Sequence, residues 1–223
     1  MDSYSSLERF CNVKLKEWAY PDRSPKARPR PVITVSRQPG SGGEAIARML
    51  ARKLGLDLYD REIIEMIARD AQVSEKMVAS LDEKSSSTLD NWIAELFASE
   101  RTLSTYGYLV NLTRVIFSIA AHGDAVIIGR GANFILPPGK RVSLRLVAPA
   151  EYRLNRIAKR FGLSPRRARR QMAESEREQR RFVKRHFRID VNDPLHHDLL
   201  INTARVRPAT IFRIAKVLID ARR

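Results

Sequence analysis

The feature that most constrains this chain is a glycine-rich segment, residues 39–43 (PGSGG), lying between two different hydrophobic patterns. The apolar run at 32–35 before it predicts a short buried strand. After it, apolar residues recur at helical spacing from Ala45 to Leu54, and Gly55 stands where a helix C-cap belongs. The segment therefore predicts a strand, a glycine loop and a helix in direct succession.

A strand that turns into a helix through glycines is a good place to bind phosphate. The helix N-terminus exposes backbone N–H groups and carries partial positive charge. Glycine adopts positive φ without strain and lets the backbone approach a ligand closely. We therefore predict that Gly40, Ser41, Gly42 and Gly43 bind phosphate through their amides; a tight turn without a ligand is the alternative.

The loop departs from the standard phosphate-binding loop, which ends in Gly-Lys-Ser/Thr. With Gly42 as the last loop glycine, Gly43 stands where the lysine belongs. Such a loop keeps its amides but loses a positive charge that phosphoryl transfer requires. Arg37, Arg48 and the arginines of a later insert are the candidates to supply it.

Further strands are predicted at 56–59, 125–128, 142–147 and 198–201. Helical patterns lie between them, so the sheet is expected to be mostly parallel, in an α/β fold. Asp60 is predicted to cap one helix, and residues 87–90 resemble a capping box that opens a helical region reaching about residue 121.

An arginine-dense insert precedes the last strand, and Ser164 and Pro165 predict a helix start within it. Residues 164–190 contain ten Lys and Arg against four acids. We expect such a group of cations to contact an anion, although each arginine taken singly fits a solvated basic face. A closing helix is predicted around residues 211–218.

Bulk properties limit the choices further. The formal charge of +16 over 223 residues predicts anionic partners. Cys11 is the sole cysteine, which excludes a disulfide framework and fits a reducing compartment. No stretch has the apolar length of a membrane span and no secretory signal is visible, so we expect a cytoplasmic location. Residues 1–31 are predicted to form a short amphipathic helix (7–18) and a Pro/Arg-rich linker.

Four segments together resemble the cytidylate kinase-like family. They are residues 33–47 (ITVSRQPGSGGEAIA), 59–64 (YDREII), 127–132 (IIGRGA) and 193–203 (DPLHHDLLINT), in the family's order and covering about 32–205. The lysine is commonly absent from this family's loop, so that departure is itself a family trait.

The resemblance implies a P-loop nucleoside monophosphate kinase-like fold: a three-layer sandwich with a parallel five-stranded sheet, helices on both faces and an Arg-rich helical lid. The domain would span 32–223, with the lid insert at about 153–190. The implied activity is ATP-dependent phosphoryl transfer, with Mg²⁺, to a nucleoside monophosphate, and CMP or dCMP is the family's acceptor.

The resemblance also assigns residues. Ser36, Arg37 and the loop from Gly40 to Gly43 would hold the donor. The acceptor side would comprise Asp60, Arg61, Gly129, Arg130 and Gly131. Catalytic charge would come from Arg37, Arg130, Arg177 and Arg181. We expect no metal site made of protein side chains, since the adjacent His196 and His197 point opposite ways on an extended segment.

Glu44 follows the paired glycines where many relatives carry arginine. An acid pointing into a phosphate cradle would repel the ligand, so we expect Glu44 to face away from it. Two other functions stay open. One is a catalytically weak or inactive nucleotide-binding regulator, indicated by the missing lysine, by Ala45 where the cytidylate kinases carry threonine, and by Glu44. The other is a nucleic-acid-binding protein that uses the basic insert.

Overall fold

A computed structural model describes residues 13–14, 31–97 and 103–222 of the chain. The predicted N-terminal helix and linker lie outside these residues, except for Val13, Lys14 and Pro31. The described residues fall into two compact units, one comprising 31–58 with 125–222, the other 59–124.

The first unit is built on a five-stranded parallel sheet in the order β2-β3-β1-β4-β5. The strands are β1 (Val32–Arg37), β2 (Asp57–Tyr59), β3 (Ala125–Ile128), β4 (Val142–Val147) and β5 (Leu199–Asn202). The helices are α1 (Gly43–Leu54), α6 (Ala132–Ile135), α7 (Ala150–Phe161), α8 (Pro165–Phe187) and α9 (Pro208–Ala221), with 3₁₀ turns at Pro138–Lys140 and Pro194–His196. The predicted fold class is confirmed.

One face of this sheet forms the hydrophobic core with α1 and α9. Successive residues of a strand point to opposite faces, so every second residue of β1 and β4 enters this core. The buried apolar residues are Ile33, Val35, Val126, Ile128, Val142, Leu144, Leu146, Ile46, Leu50, Ile211, Ala215 and Ile219. Helical spacing on α1 and α9 delivers the matching apolar stripes.

The alternate residues of β1 and β4 make the opposite face polar. Thr34, Ser36, Ser143 and Arg145 are all buried there. The Ser143 hydroxyl lies 3.1 Å from Nδ1 of His197, which belongs to the segment that follows α8. One face of the sheet therefore stabilises the fold by apolar burial, while the other holds polar groups beneath the segment after α8.

The second unit contains four helices, α2 (Arg61–Arg69), α3 (Ala71–Ala79), α4 (Glu83–Phe97) and α5 (Leu103–His122). Helix α5 contacts each of the other three. Among its fully buried residues, Leu109, Leu112, Ile116 and Ile119 recur every three or four positions, which is the apolar stripe of a packed helix.

Most predicted elements are present within one or two residues of their expected bounds. The capping box at 87–90 is wrong: α4 already begins at Glu83, and Ser85 N–H donates to Asp82 Oδ1 at 2.7 Å. The Ser87 hydroxyl instead donates to the Glu83 carbonyl one turn earlier, a bond that serine makes inside a helix. Helix α8 begins at Pro165 as predicted, although Ser164 makes no side-chain capping bond.

No helix in residues 31–97 and 103–222 is both long enough and apolar enough to cross a membrane.

We expect Leu144→Ala to lower the free energy of unfolding by about 2–5 kcal/mol, because Leu144 is completely buried between β1 and β5 and its removal leaves a cavity. Val217→Ala on α9 is the matched control, since this side chain is 66% exposed and its loss should change stability by less than about 0.5 kcal/mol. Urea unfolding measures both; equal effects would contradict the core described above.

Candidate phosphate-binding site

The glycine loop joins β1 to α1 in a conformation that needs glycine twice. Gly40 and Gly42 have φ of 80° and 81°, in the left-handed region, and Gly42 is the N-cap of α1. Gln38 N–H donates to Leu146 O at 2.9 Å, and the Thr203 hydroxyl donates to Ser41 O at 2.7 Å. These hydrogen bonds to Leu146 of β4 and to Thr203, just after β5, hold the loop in place.

The start of α1 presents donors that the protein does not use. Among the described residues, the N–H groups of Gly42 and Gly43 donate to no protein acceptor, as expected for the first turn of a helix. The hydroxyl of Ser41 is buried and also has no hydrogen-bond partner there. Unused amides at the N-terminus of a 12-residue helix suit a phosphate group.

Arg37 lies in the space that two glycines leave open. A Cβ on residue 43 would stand 2.5 Å from Arg37 Cβ and 2.9 Å from its Cγ. A Cβ on Gly129 would stand 2.7 Å from Arg37 Nη1. A lysine at position 43 would collide with the stem of Arg37. The position of this arginine and a lysine in the loop therefore exclude each other.

Glu44 is paired with arginines beside the loop, and the expectation that it faces away from the phosphate cradle stays a prediction. Its carboxylate accepts a hydrogen bond from Arg160 Nη1 at 2.8 Å and lies 3.7 Å from Arg37 Nη2. Partial burial opposes ionisation, but the Arg160 hydrogen bond and the charges of Arg160 and Arg37 outweigh it and lower the pKa of Glu44. The carboxylate turns toward the arginines because they attract its charge.

Helix α7 lines the loop with two arginines, Arg153 and Arg156. Arg153 is buried; it donates from Nε to Ala148 O at 2.9 Å and from Nη1 to Pro39 O at 3.3 Å, and it pairs with Glu176 of α8. A Cβ on Gly42 would lie 2.9 Å from Nη2 of Arg156. Arg153 is thus a support of the loop, whereas Arg156 lies over the helix N-terminus.

Helix α8 faces the loop with a residue that the sequence analysis did not single out. Gln179 donates from Nε2 to the Arg37 carbonyl at 3.0 Å. Arg177 and Arg181 are each two residues away, about 200° around the helix, and both are exposed. The structure therefore places these two predicted catalytic residues on the opposite side of α8 from Gln179.

Residues 129–131 form a second glycine turn after β3. Gly129, Arg130 and Gly131 all have positive φ, of 76°, 49° and 71°. The Arg130 guanidinium carbon lies 4.9 Å from the ring centroid of Phe182, a cation–π contact. The ring of Phe187 occupies the place where a Cβ on Gly131 would be. The turn is thus packed against the C-terminal end of α8.

Ser36 and Asp60 already have partners within the protein. The Ser36 hydroxyl accepts a hydrogen bond from Arg145 Nη1 at 2.7 Å. In the helical unit, Asp60 Oδ1 accepts from the amides of Glu62 and Ile63, each at 3.1 Å, so it caps α2 as predicted. Arg61 is exposed and forms an i,i+4 pair with Glu65, with Nε and Oε2 3.5 Å apart. Their roles toward a ligand remain predictions.

Sequence reasoning missed Arg145, Gln179 and Thr203 as residues of this region. One signal was available for Arg145: it is the one charged residue of the strand Val142–Val147, whose other residues are apolar except for Ser143. Nothing in the sequence around Gln179 distinguishes it from the other polar residues of α8, and its contact depends on the packing of that helix.

Comparisons with known proteins identify several relatives of this chain. A cytidylate kinase from Pyrococcus horikoshii is 32% identical over 193 residues, which cover 85% of this chain and 88% of the relative. A cytidylate kinase from Methanopyrus kandleri is 29% identical over 199 residues, covering 85% and 93%. An uncharacterized protein from Eubacterium ventriosum has a similar solved structure, with a TM-score of 0.59 at 20% identity over 86% of this chain and 99% of its own.

The family model described as "Cytidylate kinase-like family" matches residues 32–205, which include the glycine loop, the turn at 129–131 and both arginine-rich helices. The chain therefore belongs to the cytidylate kinase-like family.

Proposed function

We propose that this protein transfers the γ-phosphoryl group of ATP to a nucleoside monophosphate, with CMP or dCMP as the acceptor. The observation that carries the proposal is the N-terminus of α1, where the amides of Gly42 and Gly43 are unused. The guanidinium group of Arg156 lies against Gly42, and the stem of Arg37 lies against Gly43 and continues to a guanidinium group at Gly129. Amides and guanidinium groups in this arrangement stabilise phosphate charge.

In this proposal the glycine loop binds the donor phosphates and Arg37 supplies the charge that lysine supplies in other P-loop proteins. Arg37 leaves β1 directly before the loop, and its Nη1 lies against Gly129 of the second turn. A guanidinium between two glycine turns can reach a phosphate at either one. Stabilising the charge of the transferred group is the main task of the protein in such reactions.

Glu44 fits the proposal as a partner that the ligand replaces. Its carboxylate forms an ion pair with Arg160 and lies close to Arg37. A phosphate group carries more charge than one carboxylate and has more acceptor oxygens, so it competes well for the same guanidinium groups. Binding of the donor would then release Glu44 from Arg37.

The acceptor residues are proposed from the family resemblance, residue by residue. Arg130 would bind the acceptor phosphate, since a guanidinium forms two parallel hydrogen bonds to phosphate. Gly129 and Gly131 would permit that approach. Asp60 and Arg61 would contact the nucleoside monophosphate.

Arg177 and Arg181 are proposed to add charge when the lid helix rearranges around bound nucleotide. Their side chains are exposed, so neither is committed to the core. Closing helices of this kind exclude water and neutralise developing charge.

Magnesium would enter together with ATP. No group of three or more His, Cys, Asp or Glu residues in the described part of the chain is placed to hold a metal ion. That fits an ion held mainly by nucleotide phosphates and water, which is the usual state of Mg²⁺ at such sites.

Purified protein with ATP and Mg²⁺ should release ADP when CMP or dCMP is added, because transfer of the γ-phosphoryl group to the acceptor converts ATP to ADP. A coupled ADP assay across CMP, dCMP, UMP, AMP and GMP measures this, with ATP alone as the control. No turnover with any acceptor would contradict the proposal, and tight ATP binding without turnover would favour the regulatory alternative.

Gly43→Ala should lower kcat/KM by about 100-fold, since its Cβ displaces the stem of Arg37 and removes a donor to the transferred phosphate. The matched control is Gly107→Ala in α5, where a Cβ meets no atom within 4 Å and no change in rate is expected. Steady-state kinetics decides: equal rates for the two variants would show that Arg37 has no part in transfer.

Asp60 can be tested for substrate contact apart from capping. Asp60→Ser keeps a good N-cap, so stability should stay within a few tenths of a kcal/mol, whereas Asp60→Ala should lose about 1 kcal/mol. If Asp60 binds the acceptor, both variants raise the KM for the nucleoside monophosphate by about tenfold or more. A Ser variant with unchanged KM would restrict Asp60 to capping.

A further inference from the structure

Arg145 carries a buried positive charge that has no role in the reaction as described so far. It lies within β4 and is 1% exposed. In the described residues its hydrogen bonds go to neutral acceptors, from Nη1 to Ser36 Oγ at 2.7 Å and from Nη2 to Asn192 Oδ1 at 3.0 Å, while Nε has no partner. Asp190 is connected to it through the Asn192 amide, whose Nδ2 is 3.3 Å from Asp190 Oδ1.

A buried charge with only neutral hydrogen-bond partners is costly. Removing an ion from water costs several kcal/mol, and a carboxylate in contact normally offsets part of that cost. In the described chain no carboxylate lies within ion-pair distance of Arg145; Asp190 and Glu176 act on it only at longer range. An apolar side chain at this position would carry no such cost.

The position of Arg145 connects this charge to the candidate site. In the parallel pairing of β1 with β4, Arg145 lies opposite Ser36, and the next residue of β1 is Arg37. Its charge therefore lies at the carboxyl end of the sheet, where the strand enters the glycine loop. The hydrogen bond to Ser36 fixes the guanidinium at that level.

Neighbouring groups respond to this concentration of positive charge. Burial, followed by repulsion from Arg37, lowers the pKa of Arg145 to about 10, so the group remains protonated at neutral pH. Burial and the charge of Arg145 also lower the pKa of His197 to about 4. The region beneath the loop thus has excess positive charge and lacks a partner for it.

We propose that Arg145 is a positioning residue whose fixed buried charge favours highly charged phosphate ligands in the glycine loop, without touching them. The inference rests on the proposed nucleotide site, but it concerns binding and not phosphoryl transfer. A buried charge is screened less than a surface one, so it acts on a ligand several ångströms away. Its effect must then grow with the number of charges on the ligand.

Arg145→Met removes the charge at similar length, and Arg145→Lys retains it. Calorimetry with ATP, ADP and AMP measures the affinities. In the Met variant the affinity should fall by about tenfold for ATP but only about threefold for AMP, whereas the Lys variant should keep affinities close to those of the wild type. Urea unfolding should show Met at least as stable as the wild type, because an unpaired buried charge is gone. Equal losses for ATP and AMP, or wild-type affinity for both, would overturn the proposal.

A second pair of variants leaves Arg145 in place and decides the question if the Met variant does not fold. Asn192→Asp puts a carboxylate against Nη2 and should weaken ATP binding by about tenfold, whereas Asn192→Ala should change it by less than about twofold. The same affinity in both would overturn the proposal.

These binding measurements are independent of turnover. If the wild-type protein binds ATP without transferring phosphate, the proposed function is contradicted, but the variants above still test the inference about Arg145. Wild-type protein that binds no nucleotide would end both.

Discussion

The aliphatic stem of Arg37 fills the space that a side chain at position 43 would need, and the rest of the site follows from this contact. Its guanidinium continues to Gly129, so two glycines far apart in sequence serve one arginine. Gly43 is therefore required for space, whereas Gly40 and Gly42 also have positive φ. The absence of the P-loop lysine therefore has a steric explanation. Arg37, at the end of β1, occupies the space that a lysine at the start of α1 would need.

Charge in this region is arranged in layers of decreasing burial. Arg145 and Arg153 are almost completely buried, Arg37 is about one-fifth exposed at its side chain, and Arg160 is mostly exposed. The buried members have fixed hydrogen bonds to Ser36, Asn192, Ala148 and Pro39, so they hold the backbone and set the local potential. The exposed members can exchange Glu44 for another anion at little cost, because solvent-exposed ion pairs are weak.

The sequence was sufficient for the order of elements and for the location of the loop, since hydrophobic periodicity and glycine placement are local signals. It failed where one local pattern fits two structures. A serine such as Ser87 can cap a helix, yet here it lies inside α4 and donates to the carbonyl of Glu83. It also could not predict the path of Arg37, the ion pairs of Glu44 or the contact of Gln179. These depend on which surfaces meet across the sheet and between helices, and residues distant in sequence decide that.

Helix α8 can present only one of its sides to the loop at a time. Gln179 and the pair Arg177 and Arg181 stand about 200° apart around its axis, so a roll of the helix that brings these arginines inward carries Gln179 out to solvent. The same roll breaks the bond to the Arg37 carbonyl and separates Glu176 from Arg153, which anchors Pro39. Gln179 and the two arginines therefore cannot face the loop together, and turning α8 to bring the arginines inward would remove contacts to the backbone on both sides of the glycine loop.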